Sequence, residues 1–71
     1  MNYIVIELQT TNGTTANIVN AFTDRNQAEA KFHQVLASAA TSAVETHAAV
    51  LIAENGTCVR HEAYNHTTPE E

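Results

Sequence analysis

Residues 3–22 read YIVIELQTTNGTTANIVNAF. An Asn-Gly pair at 12–13 stands between two runs rich in β-branched residues, and a type I′ turn, which needs positive φ at both central positions, is what such a pair supplies. Taking 12–13 as the turn matches Thr11 with Thr14 and, counting outward, Leu8 with Asn17, Ile6 with Val19 and Ile4 with Ala21. The alternate positions match Gln9 with Ala16, Glu7 with Ile18, Val5 with Asn20 and Tyr3 with Phe22. The first set is mainly apolar and the second is much more apolar than a solvated sheet face should be, since such a face is polar where the covered one is apolar. The first set is expected to meet a helix, which leaves Tyr3, Val5, Ile18 and Phe22 uncovered and in need of a partner.

The rest of the chain supplies the other elements. Asp24 can cap a helix, with Gln27 reaching back from the third helical position in an approximate capping box. The helix runs roughly 25 to 41. Ala28, Phe32, Val35, Leu36, Ala39 and Ala40 recur on it at spacings of three and four, one stripe, while Arg25, Lys31, Gln34 and Ser38 fall on the other side. A second Asn-Gly pair, 55–56, predicts a second type I′ hairpin. Its strands sort into Ala48, Val50, Ile52, Val59 and Ala63 on one face and His47, Ala49, Leu51, Ala53, Cys58, Arg60, Glu62 and Tyr64 on the other. The order strand, strand, helix, strand, strand gives an α+β domain, ββαββ, over residues 1–64. It is a four-stranded antiparallel sheet in the order 2-1-3-4, with 2-1-4-3 as the alternative, and one helix on one face. Residues 65–71 read as an acidic polar tail that frays.

Composition bounds the function. A chain of 71 residues is small enough to be marginal alone, and oligomerisation is a common remedy. Eight acidic against three basic residues, net charge −5, disfavour the attraction to phosphate backbones on which nucleic-acid binders rely. One cysteine allows no internal disulfide, the N-terminal segment lacks the charged start of a signal peptide, and no apolar stretch approaches the ~20 residues of a spanning helix. The expected compartment is the cytosol, with no membrane attachment.

The segments YIVIELQT, AFTDRNQAEAKFHQVLASAA and HAAVLIAENG resemble the matching segments of small ββαββ proteins from gut Firmicutes and their mobile elements, over residues 3–64. The resemblance carries over no activity and no catalytic residues. It does imply that an inhibitor of a host system is one form a binding role could take.

Residues with chemistry in them are few. Cys58 and His61 have a C-x-x-H spacing, but on a regular strand residues three apart point to opposite faces, so zinc ligation is not expected. His47 and Cys58 share a face in the expected pairing yet lie about 20 Å apart along it, which excludes a Cys-His dyad. His33 has no second ligand at helical spacing, and His66 falls in the tail. Both glycines are committed to turns, leaving no phosphate loop. The expectation is therefore a non-enzymatic, homo-oligomeric binding module, without metal or cofactor, dimeric by preference. Its interface is Tyr3, Val5, Ile18, Phe22, Leu51 and Tyr64, and its further partner is a host protein. The alternative is capture of a nucleotide or other anion between copies by His47, Arg60 and Tyr64, since an arginine beside an aromatic can both bond and stack on a planar anion.

Overall fold

Asn12 and Gly13 both have positive φ, 54° and 78°, in the computed structural model, which describes residues 1–66, so the first hairpin turns through the expected type I′ geometry. Strands β1 (Tyr3–Thr11) and β2 (Thr14–Phe22) pair over their full length in the register read from the sequence. Helix α1 (Arg25–Ala40) follows, then β3 (Thr46–Ala53) and β4 (Cys58–Asn65). All neighbouring strands are antiparallel, in the order β2-β1-β3-β4, which is the 2-1-3-4 sheet with a single helix. Asn65 belongs to β4, opposite Thr46, so the strand runs one residue past the expected domain end at 64. Of the rest of the expected tail, His66 is described and packs back on the chain, and 67–71 lie outside the described residues.

Asp24 caps α1, its Oδ1 accepting from Asn26 N at 3.1 Å. Gln27 gives no reciprocal bond among the described residues, so the cap is a single Asx contact rather than a box. The expected stripe is the buried one: Ala28, Phe32, Val35 and Ala39 are buried and Leu36 packs at the margin, while Ala40 is exposed.

The covered face is the opposite of the expected one. The core consists of Val5, Ala49 and Leu51 from the sheet with Ala28, Phe32 and Val35 from the helix, bordered by Tyr3, Phe22, Leu36 and Val59. The helix thus lies on the side of Val5, not of Ile4, Ile6 and Leu8. Apolar alternation on both faces does not discriminate between them. The β2-α1-β3 segment does, because it joins two parallel strands across β1 and such crossovers are almost always right-handed, which fixes the side on which the helix lands. Small residues on that side, Ala49 and Ala53, both buried, let the helix approach β3 closely.

The second hairpin also departs from expectation. Gly56 has φ 91°, but Asn55 has no positive φ. Gly56 N donates to Ala53 O at 2.8 Å and Ala53 N donates to Thr57 O at 2.9 Å, which closes a three-residue loop, 54–56, with the glycine in its left-handed position. A three-residue loop shifts the pairing by one, so Ile52 faces Cys58 rather than Val59. The ladder then changes step between Ile52 and Leu51, and Leu51 faces Arg60 as expected. Val59 is the extra residue of this bulge and packs against the core.

Candidate functional site

The pairings lay out the uncovered face as four rows of four, read across β2-β1-β3-β4. They are Ala21, Ile4, Ile52, Cys58; Val19, Ile6, Val50, His61; Asn17, Leu8, Ala48, Ala63; and Thr15, Thr10, Thr46, Asn65. None of the sixteen is Asp, Glu, Lys or Arg, in a chain of net charge −5. The first three rows are almost wholly apolar. Ile4, Ile6, Leu8, Ala48, Val50 and Ile52 are half-buried by their own sheet neighbours, and Val19 is 57% exposed. The last row is polar, with Thr10 and Thr15 sharing a 2.8 Å hydroxyl hydrogen bond.

The expected interface residues therefore need correction. Val5 and Leu51 are fully buried beneath α1 and can meet no partner. Tyr3 and Phe22 line the core margin, and Tyr64 is half-buried with its ring stacked on His66, centroids 6.3 Å apart. Of the six, Ile18 alone is classed as exposed, at 50%, on the helix side of edge strand β2, where the helix, lying mainly over β3, gives little cover.

Nor do all three expected ligand residues converge on one opening, since Arg60 and Tyr64 line a groove that His47 does not reach. His47 is buried, with Nε2 donating to Glu7 Oε2 at 2.5 Å and Nδ1 facing Ser42 Oγ at 3.0 Å. Gln9 Nε2 donates to the same Glu7 oxygen at 3.0 Å, and Val44 N donates to Ser42 Oγ at 3.3 Å. Serine, histidine and carboxylate stand in the order of a nucleophile, a base and its orienting group. Its effect here is to tie β1, β3 and the helix-to-strand connection together under cover. Ser42 lines neither of the two grooves that flank α1. Sequence reading placed Glu7 and His47 on one face but took that face as open. Burial is what makes them a pair.

Arg60 is held by Glu29, Nε to Oε1 at 2.6 Å, and Arg25 Nε reaches Oε2 at 3.4 Å, with His33 Nε2 3.9 Å away. The hydrogen bond from Arg60 lowers the pKa of Glu29 below its ordinary 4.5, assisted by Arg25 and opposed by desolvation. Arg60 and Tyr64 line a groove of about 520 Å³ between α1 and β4, floored by Phe32, Leu36 and Val59 and edged by His33 and Glu62. A second groove lies between α1 and β2, lined by Phe22, Gln27, Ala30, Lys31 and Gln34.

The bulge also overturns two arguments about Cys58. By register it stands with His61 on the open face, because the extra residue cancels the alternation that should separate them, and it no longer shares a face with His47. No group of three or more His, Cys, Asp or Glu suited to a metal occurs among the described residues. Cys58 is exposed, its Sγ 3.7 Å from Arg60 O.

Fold and surfaces together define a small α+β domain whose sheet is covered on one side and open and uncharged on the other. Comparison with family models, curated proteins and solved structures finds no match to this chain. Among the described residues no helix is long and apolar enough to cross a membrane.

Proposed function

We propose that the chain is a non-enzymatic, homo-oligomeric binding module that works through the open face of its sheet. The observation that supports this reading is the uncharged sixteen-residue face on an acidic chain. At strand spacing its plan area is on the order of 400 Å², the size at which exposed apolar patches mark contact surfaces. A charged face would demand a complementary partner. A neutral one can meet its own copy across a two-fold axis without setting like charges against each other, and two such sheets stacked face to face leave the helices outside. The same surface is the one offered to a protein partner when the second copy is displaced.

Sedimentation velocity on the chain and on Ile6→Glu and Val50→Glu tests the reading. Both side chains lie outside the helix-covered core, so the variants are expected to keep their circular dichroism spectrum and to fall to a smaller assembly. Variants that stay folded at unchanged size would refute it.

A further inference from the structure

The two edges of the sheet are not alike. Edge β4 carries Arg60 and Glu62 and is broken by the bulge at Val59, and charges and bulges are devices that keep an edge from pairing. Edge β2, TTANIVNAF, has none of them: nine residues without a charge, a proline or a register shift. It also carries Ile18 and Val19, 50% and 57% exposed, which with Met1 are the large apolar residues left most exposed among those described. They are adjacent, so they face opposite sides of the sheet. A partner lying on one face would cover one of them, whereas a strand added at the edge gives both a neighbour.

We propose that β2 pairs antiparallel with β2 of a second copy, joining two sheets into one of eight strands. The free groups of the edge follow from the ladder. A two-residue type I′ loop makes Thr11 and Thr14 a hydrogen-bonded pair, so Thr14, Ala16, Ile18, Asn20 and Phe22 turn their backbone groups to β1. Thr15, Asn17, Val19 and Ala21 turn theirs outward. A two-fold axis perpendicular to the sheet keeps both helices on one side and requires residues of like parity to meet. Centred on Ile18, it overlaps the whole strand, sets Ile18 against its own counterpart, and pairs Asn17 with Val19 and Thr15 with Ala21 of the other copy, about eight backbone hydrogen bonds in all. The second copy is the occupant that fits, because two acidic chains can approach here through strands that carry no charge. The neighbouring α1–β2 groove adds only Lys31, a cation without an ion pair among the described residues.

This inference extends the proposed function and is separable from it. The edge axis is perpendicular to the sheet and the face-to-face axis is parallel to it, so with the two axes intersecting the contacts close into a tetramer. Sedimentation velocity is run on the chain, on Ile18→Lys, on Asn17→Pro and on Ile6→Glu. Ile18→Lys brings two ammonium groups together at the axis from the helix side, and Asn17→Pro removes an outward N–H where edge strands tolerate proline. Each edge variant is expected to halve the assembly and stay folded, and Ile6→Glu with Ile18→Lys to give a monomer. In a Cys58→Ser background, Ile18→Cys is expected to form a disulfide between copies under mild oxidation. Folded edge variants at unchanged size, or an Ile18→Cys chain that stays uncrosslinked, overturn the edge pairing and leave the face reading standing. The reverse pattern, with only Ile6→Glu leaving size unchanged, overturns the face and leaves the edge.

Discussion

At the scale of single residues, His47 and Glu29 hold the polar part of the structure, and they differ in exposure. His47 is buried with both ring nitrogens engaged, so His47→Ala strands the half-buried Glu7 carboxylate and should cost on the order of 2–3 kcal/mol in denaturant unfolding. Glu7→Gln keeps a side-chain amide in reach of the ring and of Gln9 and is expected to cost less than half as much. Glu29 sits nearer the surface beside two arginines that are half exposed, so its ion pairs are screened and individually weak. Its pKa is lowered on folding, so the stability it contributes is present above the ordinary carboxylate range and is lost as pH falls below about 4.5 through the folded value. Glu29→Gln should therefore melt below the parent chain at pH 7, and the gap should close in acid, once Glu29 is protonated in the folded chain as well. A gap that persists there would assign the effect to packing rather than charge.

At the scale of elements, the two hairpins show how one dipeptide serves two geometries. At 12–13 the turn has positive φ at both residues, whereas at 55–56 only the glycine does, and Asn55 instead accepts from Thr57 N through its side chain at 3.1 Å. Beyond its immediate chain neighbours, no atom lies within 4 Å of where a Cβ would stand on Gly56, so a substitution there meets backbone strain alone. Gly56→Val is expected to cost about 1–2 kcal/mol, and Gly56→Asn less, since asparagine tolerates the left-handed region. Thermal melts of the two variants check the order. Asp24→Ala should cost about 1 kcal/mol by freeing the Asn26 amide. At the other end of α1, His66 Nε2 lies 2.8 Å from Ala39 O and its backbone N donates to Glu45 O at 2.7 Å, so the end of β4 closes onto the last helical turn.

At the scale of the whole molecule, the question is which sheet face the helix covers, and burial answers it. Leu51→Ala should cost about 2–5 kcal/mol, because it opens a cavity beneath α1 where Leu51 is fully buried. Ile52→Ala, one residue along and on the open face, should cost much less in the isolated chain, since its side chain is only half-buried. Urea unfolding of the pair in dilute solution checks it, and equal losses would mean that both faces are covered there.

The sequence by itself determined the element order and the register of the first hairpin, because turn chemistry, capping and periodicity are local and act before any packing, whereas the choice between the 2-1-3-4 and 2-1-4-3 strand orders was made only by the long-range pairing of β1 with β3. It also sorted the residues of β1, β2 and β3 correctly into two sets, since alternation is a property of the strand. Only the tertiary structure decided which set is core. With Val5 and Leu51 on one side and Ile6 and Val50 on the other, hydrophobicity favours neither, and the handedness of the β2-α1-β3 connection makes the choice. The bulge at Val59 lay beyond sequence reading for a related reason. It reconciles a three-residue loop with a register that β3 and β4 hold elsewhere, and that conflict exists only once both are in place. The candidate contact surface moved accordingly, from Val5 and Leu51 to Ile6 and Val50, while the exposed edge residue Ile18 stayed where the hairpin had put it.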